Sequence, residues 1–320
     1  MAKKNTNNFK INTSKMKKIT ISLMAFLIAL AVNAQLKEFP CTPEWVQKIE
    51  KIAPEKPAVQ PKKERKILIF DKFTGFNHWV IPHATAVIRV LGEKSGAYKV
   101  DVVSDLSFFE TKTLKKYDAV VLNNNCSVGP RRNQILDMLD EDKSLTEEQK
   151  IKMAAEFENN LITYVKKGGG LMIVHGAIVM QNNSLSFSVM VGGSFDYHPP
   201  QQEITLELAE PGHPLLAAFE GKPFVHVDEP YLFKNAYIEK NFRPLLYMDT
   251  DKLTNKPKPI DEKIKYVSWI KRFGKGHVFY VSPSHNAQSY EDARLLKYYL
   301  NGAQYVLGDL ECDDSPVKSK

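Results

Sequence analysis

The chain has 320 residues, of which 43% are hydrophobic and 10% aromatic, which is enough to bury a sizeable core and excludes an intrinsically disordered protein. The formal net charge of +7 comes almost entirely from the first 34 residues, which hold six of the 44 basic residues and no acidic one. The remaining 38 basic and 37 acidic residues nearly cancel, so the charge balance gives no support to nucleic-acid binding.

Residues 1–34 have the pattern of an export signal. Lys17 and Lys18 precede a short apolar run over 19–32, and small residues lead up to a predicted cleavage after Ala34. The run is shorter than the roughly 20 residues of an ordinary membrane span, and no later segment is long enough, so we expect none in the mature protein. Met16 could itself begin such a signal, which makes residues 1–15 either an extension or a mis-called start. No cysteine follows the cut, so a lipoprotein is not predicted, and the expected location is the periplasm or the medium.

The first half of the mature chain predicts alternating strands and helices after an amino-terminal segment. Residues 35–65 are rich in Lys, Glu and Pro and predict a short amphipathic piece at 45–52, followed by an extended linker. Helical spacing covers 81–94, and the Thr146 capping box predicts a helix that ends near Lys167. Apolar runs of strand length occupy residues 66–71, 98–103, 119–123 and 171–174.

The second half is richer in strands. Alternating patterns occupy 202–208, 223–227 and 265–270, the apolar run 278–281 returns to the main sheet, and 293–307 predicts a closing helix. Apolar strands that alternate with helices favour a parallel sheet covered on both faces. The sequence therefore predicts one α/β domain over 66–308 with inserted β-hairpins, and a tail over 309–320.

Three of the eight histidines follow predicted strand ends: His78, His175 and His285. One histidine in such a place is usually a packing residue. Ligands of parallel sheets bind beyond the carboxyl ends of the strands, so three histidines at that edge favour a shared functional site.

Two further segments carry candidate groups. Residues 192–199 contain Tyr197 and His198 after two glycines, and they read either as a structural turn or as a flap over a polar ligand. After the strand near 223–227, Glu229 could serve as a general base or a metal ligand. His213, at a turn, and His277, within a strand, are more simply explained as structural residues than as site residues.

Several common chemistries lack their sequence signatures. No C-x-x-C, H-E-x-x-H or G-x-S-x-G occurs, and Cys126 has no obvious base close to it in sequence. The glycine run 168–170 precedes a strand, whereas a phosphate cradle leads from a strand into a helix.

Taken in order, these motifs resemble the ThuA-like (trehalose utilisation) family over about residues 66–308. The motifs are Thr74-Gly-Phe-x-His78, Gly168-Gly-Gly-Leu-x-x-x-His175-Gly-Ala177, Gly192-Gly-x-Phe-x-x-His198-Pro, His213-Pro, Asp228-Glu-x-Tyr231, Trp269, Phe273-Gly-Lys-Gly-x-Val-Phe-Tyr280 and His285. The resemblance implies a flavodoxin-like, class I glutamine amidotransferase-like three-layer sandwich with a mostly parallel sheet and inserted β-hairpins. It also implies a polar cluster of His78, His175, His198, Glu229, Tyr231 and His285.

The chain departs from its amidotransferase relatives where their nucleophile lies. Those enzymes carry a cysteine at the turn after a central strand, and here that turn holds His175, which excludes glutamine hydrolysis at this position. Within the family pattern, Trp79 stands where a small polar residue is frequent, and Asn286 where Asp is common. Asn lacks the charge that would orient an imidazolium or bind a metal.

Together with the export signal, the resemblance implies an exported protein that acts on a small carbohydrate, as a hydrolase or lyase of a glycoside or 3-keto-glycoside. An imidazole or Glu229 would remove a proton next to a ketone, and a second imidazole would protonate the departing oxygen. A divalent metal that polarises the ketone is compatible but not required, and neither its identity nor the oligomeric state is predicted. The expected catalytic residues are His78, His175, Glu229 and His285, and the expected substrate-binding residues are Trp79, Tyr197, His198, Tyr231 and Asn286.

Two other classes of function stay open. A non-catalytic carbohydrate-binding protein on the same fold would use Trp79, Tyr197 and Tyr231 to stack on sugar faces. A structural partner in a secreted complex is supported only by the Pro- and Lys-rich segment 35–65.

The three cysteines allow one disulfide. Export exposes the chain to an oxidising compartment, and chain ends often lie close together, so we predict a Cys41–Cys312 bridge with Cys126 free. The alternative is three unrelated thiols.

Overall fold

The structure is a computed structural model that describes Met1 and residues 36–317, so the predicted export signal lies, apart from Met1, outside the described residues. The strands are β1 (Lys66–Phe70), β2 (Lys99–Val103), β3 (Ala119–Asn123), β4 (Gly170–Val174), β5 (Ser194–Tyr197), β6 (Gln202–Leu208), β7 (Phe224–Asp228), β8 (Leu232–Lys234), β9 (Arg243–Asp249), β10 (Ile264–Phe273) and β11 (Gly276–Val281). The α-helices are α1 (Pro43–Ile52), α2 (Ile81–Ser95), α3 (Thr111–Leu114), α4 (Gln134–Leu139), α5 (Glu147–Lys166), α6 (Leu185–Val191) and α7 (Ala293–Val306).

One mixed nine-stranded sheet, in the order β2-β1-β3-β4-β11-β10-β9-β6-β7, organises the domain. The five strands from β2 to β11 run parallel, and the four from β10 to β7 each run antiparallel to their neighbour. A separate antiparallel pair joins β5 to β8. The parallel half places the carboxyl ends of β1, β3, β4 and β11 along one edge, which is where the predicted polar cluster begins.

The central strands are apolar throughout because both faces of the sheet are covered. Every residue of β3 and β4 is buried. The helices α1, α2 and α7 form one packed group that contacts the sheet, and α4, α5 and α6 form another. This arrangement confirms the predicted α/β class with its parallel sheet and added hairpins.

Helix α5 begins at the predicted capping box and ends near the predicted residue. The Thr146 side chain accepts the Gln149 backbone N–H, and the Gln149 side chain accepts the Thr146 N–H at 2.8 Å, which completes the capping box. After the helix, Gly168 adopts a φ of 120°, a left-handed value that favours glycine and turns the chain into β4.

The segment before β1 packs on the domain and is not a free linker. The Trp45 side chain is 7% exposed, and its Nε1–H donates to Glu291 at 3.1 Å. Further along, Gln304 accepts from the backbone N–H of Ala58 at 2.7 Å, and the Arg65 guanidinium pairs with Asp309 at 2.5 Å. The chain from Lys37 onward is accordingly one compact unit.

The predicted disulfide is wrong, since Cys41 and Cys312 are both free. Two residues before Cys41, the Phe39 ring packs against the ring of His83 in the first turn of α2, with the centroids 5.2 Å apart, and α2 begins at the carboxyl edge of the sheet. Two residues after Cys312, Asp314 accepts from Arg272 Nε at 2.5 Å, next to the amino end of β11. The two chain ends therefore approach opposite edges of the sheet, and a disulfide needs Cα atoms within about 7 Å.

The structure adds elements that the sequence did not predict. Residues 192–199, read as a turn or a flap, contain β5, and β9 fills the gap between β6 and β10. Among the described residues, no helix is both long enough and apolar enough to cross a bilayer.

Candidate active site

Four side chains from four separate loops converge beyond the carboxyl edge of the sheet. His78 follows β1, His175 follows β4, Glu229 follows β7 and His285 follows β11, and one ligand atom from each lies within 4.8 Å of the other three. We call these four residues the tetrad. The structure thus brings together all four residues predicted as catalytic, and their catalytic role stays a prediction.

The three imidazoles of the tetrad form a nearly equilateral triangle. The ring centroids are 5.3 Å apart for His78–His175, 5.4 Å for His78–His285 and 5.3 Å for His175–His285. The carboxylate joins this triangle, with Glu229 Oε2 at 3.3 Å from both His175 Nε2 and His285 Nδ1. Its other oxygen, Oε1, lies 3.7 Å from Nε2 of His198, which enters from the loop after β5.

The backbone around β4 fixes the orientation of two of the rings. His175 has a φ of 43°, an uncommon left-handed value for a residue with a side chain, at the sharp turn where the amidotransferases carry their cysteine. Its Nδ1–H donates to the Ser282 carbonyl at 2.7 Å, which leaves Nε2 facing the carboxylate. The next residue must be glycine, because a Cβ on Gly176 would lie 2.4 Å from the His78 ring.

A buried carboxylate, Asp228, ties two loops of the tetrad together. Its Oδ1 accepts the Glu229 N–H at 2.7 Å, and its Oδ2 accepts the N–H groups of Ser284 at 3.0 Å and His285 at 3.2 Å. The residue is 1% exposed. Sequence analysis assigned Asp228 no role of its own, because its bonds to Ser284 and His285 span 56 and 57 residues of chain.

Burial and mutual contact shift the protonation of the tetrad. Burial acts to raise the pKa of the Glu229 carboxyl, but the hydrogen-bonding contacts and charges of His175 and His285 outweigh it and hold that pKa well below its usual range. Burial, followed by the neighbouring His175 and His285, lowers the pKa of His78. Burial also acts to lower the pKa of His285, but the Glu229 carboxylate raises it above the ordinary value. The site therefore combines an ionised carboxylate with a neutral His78 whose lone pair is available.

The tetrad faces a cavity of about 160 Å³. Its lining consists of Phe76, His78, Cys126, Arg132, Val179, Phe195, His198, Glu229 and Tyr231. Larger cavities of about 380 and 420 Å³ occur elsewhere, the first around Tyr164 and Gly169 and the second between α1 and α2, and neither is lined by a histidine. Size alone therefore does not locate the site, whereas the convergent polar groups do.

Arg132 is a cavity residue that sequence reasoning missed. Its Nη1 donates to the Ser127 carbonyl at 2.8 Å and lies 3.8 Å from Cys126 Sγ. Across residues 36–317, no carboxylate lies within ion-pair distance of its guanidinium, whereas the neighbouring Arg131 pairs with Asp137 and Asp140. The only sequence signal was a pair of arginines in a loop, which is not specific.

Three residues predicted to bind substrate do not line the cavity. Trp79 packs its ring against Phe39 at 5.3 Å and so belongs to the contact between the amino-terminal segment and α2. Tyr197 lies under the Lys258 ammonium at 3.9 Å, and Asn286 donates to the Val227 carbonyl at 2.8 Å. Local sequence could not show that these side chains turn away from the cavity. The other two predictions, His198 and Tyr231, do line it.

Cys126 is present in the cavity but has no feature of a nucleophile. The thiol is buried, and burial raises its pKa above the ordinary value. It lies near the Arg132 guanidinium and not at the turn after β4. This position agrees with the exclusion of amidotransferase chemistry.

Comparison with known proteins decides the family. The family model of ThuA, described as trehalose utilisation, matches residues 66–306. The chain belongs to the ThuA family. ThuA membership confirms the predicted resemblance and relates the protein to carbohydrate utilisation. No curated protein matches the sequence.

Solved structures of ThuA-like proteins share the fold. One from Bacteroides uniformis is 18% identical, has a TM-score of 0.55, and is matched over 79% of this chain and 93% of its own. Another, from Parabacteroides merdae, is 17% identical with a TM-score of 0.52 and is matched over 77% and 90% of the two chains. At this identity the likeness shows the fold alone, which is glutamine amidotransferase-like as predicted.

Proposed function

We propose that the protein is a carbohydrate-active enzyme, a hydrolase or lyase that acts on a glycoside or 3-keto-glycoside at the tetrad. One observation carries the proposal: three imidazoles and one carboxylate from four loops converge on one point at the wall of a small cavity. Membership of the ThuA family supports the carbohydrate class. A carbohydrate-binding module would need no such convergence of ionisable groups.

The geometry suits elimination next to a ketone. In a 3-keto-glycoside, removal of the proton beside the ketone forms an enolate, whose electron pair then expels the glycosidic oxygen as that oxygen takes up a proton. In a hydrolase, water then adds to the double bond. Such a reaction needs stabilisation of the enolate oxygen and one group that transfers protons.

The tetrad and His198 divide these tasks. Within the tetrad, His285, whose pKa the Glu229 carboxylate raises, can carry the proton that stabilises the enolate oxygen. His198 is only partly covered, with 33% of its side chain exposed, so it can exchange protons with solvent. Its Nδ1–H donates to the Pro199 carbonyl at 2.9 Å, which leaves Nε2 as the proton acceptor on the side of Glu229. Imidazole is the commonest side chain for this task.

The cavity walls fit a small sugar. Phe195 and Tyr231 provide aromatic faces whose ring centroids are 4.7 Å apart, and Arg132 provides unpaired donors. At about 160 Å³ the cavity is smaller than the roughly 300 Å³ at which pockets for drug-sized ligands begin, which favours a single sugar unit.

The proposal is tested by incubating the protein in D₂O with glucosides and with their 3-keto forms, and following the products by NMR. We expect deuterium to enter at the carbon next to the ketone and the glycosidic bond to break. His198→Ala should lower kcat by about 10²–10⁴-fold, as loss of a proton-transferring group does, while His213→Ala, outside the site, should not. Binding of these sugars with neither exchange nor cleavage would replace this proposal by the carbohydrate-binding alternative. Of the three stacking residues that this alternative named, only Tyr231 lines the cavity.

We also propose that the protein is exported, on the pattern of residues 1–34. Mass spectrometry of the mature amino terminus from fractionated cells should find a peptide that begins at Gln35. A cytoplasmic chain that retains residues 1–34 would overturn this.

A further inference from the structure

We infer that the tetrad is the binding site of one divalent transition-metal ion, for which zinc is the best match, held by three imidazole nitrogens and one carboxylate oxygen. The inference deepens the proposed function by naming a cofactor for the same site. It is argued from coordination geometry, and its test does not depend on turnover.

The spacing of the rings agrees with a tetrahedral ion. At a metal–nitrogen distance of about 2.0–2.1 Å, three imidazoles that point at one ion place their ring centroids about 5.2 Å apart for tetrahedral angles, but only about 4.5 Å apart for the right angles of an octahedron. The observed separations are 5.3, 5.4 and 5.3 Å. Three equal separations of this size are what one central ion requires, and direct ring packing does not require them.

The carboxylate lies at the fourth corner. Two ligands of a tetrahedral ion are about 3.4 Å apart, and Glu229 Oε2 lies 3.3 Å from both His175 Nε2 and His285 Nδ1. Apart from this carboxylate oxygen, neither imidazole nitrogen has a hydrogen-bond partner among the described residues, although both are buried. The same is true of His78 Nδ1. Buried polar atoms are nearly always partnered, so two nitrogens that share one carboxylate oxygen, with an unpartnered His78 nitrogen in the same cluster, point to a ligand that satisfies all of them.

The groups behind the tetrad are arranged as metal sites require. A histidine ligand usually donates its other ring N–H to a carbonyl or carboxylate, and His175 Nδ1 donates to the Ser282 carbonyl at 2.7 Å. Asp228 holds the backbone of both Glu229 and His285. The site is therefore positioned before any ion arrives.

The donor set selects the class of metal. Calcium and magnesium prefer oxygen ligands throughout, whereas three imidazoles and a carboxylate suit zinc and its neighbours in the first transition row. Cys126 lines the same cavity but is not one of the four convergent ligands, so a thiolate-bound copper site is not indicated.

Glu229 is the ligand that can leave the ion and so free one coordination position for substrate. A catalytic zinc site usually has three protein ligands and keeps the fourth position for water or substrate. The second oxygen of Glu229, Oε1, already lies 3.7 Å from His198 Nε2. When His198 has taken up a proton, the carboxylate can turn to it; three imidazoles would then remain on the ion, and the freed position would lie on the cavity side that Glu229 lines.

The first measurement is the metal content of the full chain purified without chelator, by inductively coupled plasma mass spectrometry. We expect close to one equivalent of a transition metal. After chelation, titration with Zn²⁺ should restore binding of one equivalent and raise the melting temperature. Cobalt substitution should give the intense visible absorption of a tetrahedral ion.

Variants separate this site from adventitious binding. His285→Ala should weaken Zn²⁺ binding by at least about 100-fold, and Asp228→Asn by about 10–100-fold, as loss of groups that orient ligands does. His213→Ala and His277→Ala are the matched controls, because these histidines lie outside the tetrad, and both should bind Zn²⁺ as the parent does. Circular dichroism establishes that each variant is folded, and Glu229→Gln provides a second ligand change if His285→Ala is not.

Two results overturn the inference: substoichiometric metal in the parent protein together with no tight Zn²⁺ binding, or Zn²⁺ binding that the tetrad variants leave unchanged. Turnover of a keto-glycoside that persists in the metal-free protein would refute the cofactor role and leave the proposed function intact. Stoichiometric metal in a protein that turns over no keto-glycoside would refute the proposed function and leave the metal site intact.

Discussion

Replacing Asp228 by Asn should destabilise the fold and weaken the tetrad, although the two side chains have nearly the same shape. The carboxylate accepts three backbone N–H groups, from Glu229, Ser284 and His285, in a place where the residue is 1% exposed. An amide has only one oxygen. Whichever way it turns, its NH₂ group faces at least one of those N–H groups.

The cost follows from the bonds that are lost. In its better orientation the amide keeps the N–H groups of Ser284 and His285 and loses that of Glu229, at 2.7 Å. A hydrogen bond to a charged group contributes about 1.5–3 kcal/mol, and an unpaired buried N–H costs about 1–3 kcal/mol more. Relief from burying a charge offsets part of this loss. We expect the free energy of unfolding to fall by about 2–4 kcal/mol, which lowers the melting temperature by roughly 4–8 °C.

Urea denaturation followed by circular dichroism measures this change, and chelator is present so that a bound ion does not mask it. The matched control is Asp196→Asn on β5, where the side chain is exposed, and it should change stability by no more than about 0.5 kcal/mol. An Asp228→Asn variant as stable as the parent would show that these three bonds do not hold the two loops together.

Three further predictions concern other groups. Arg132→Met should raise KM for a sugar substrate about 10-fold through loss of a cavity donor, while Arg131→Met, whose side chain is paired outside the cavity, should leave it unchanged; equal effects would remove Arg132 from the site. Cys126→Ser should keep kcat/KM within about 3-fold, because catalysis by this thiol is not part of the reaction, and complete loss of activity would show that the thiol is the nucleophile. Burial, aided by Arg272, lowers the pKa of His277 to about 4, so its neutral form stabilises the fold above about pH 6.5, and that contribution is lost as the pH falls toward 4. Between pH 7 and 5 the parent should therefore lose about 1 kcal/mol more of its unfolding free energy than His277→Gln does, a figure discounted for partial exposure, and equal losses in the two proteins would contradict this.

The parallel half of the fold could be read from the sequence because its signals are local. Strands buried on both faces are apolar along their whole length, as in β3 and β4, and the Thr146 capping box marks the start of α5 by itself. β9 was missed because its seven residues, Arg243–Asp249, begin with Arg-Pro and show no clear alternation. Its place in the sheet depends on pairing with β6 and β10, which local sequence does not encode.

The sequence by itself determined the family, and it placed the three tetrad histidines together because residues that follow neighbouring parallel strands meet at one edge of the sheet. Glu229 follows β7, which runs antiparallel to its neighbour β6, and only the family resemblance grouped it with the histidines. Only the tertiary structure decided how the other candidates are used. In the structure, Trp79 packs against Phe39 instead of lining the cavity, and Cys41 and Cys312 are both free thiols. It also made Asp228 the link between two loops and left Arg132 facing the cavity without a carboxylate partner among residues 36–317. These outcomes depend on side-chain direction and on contacts between distant parts of the chain, whereas strand and helix periodicity depends on nearest neighbours.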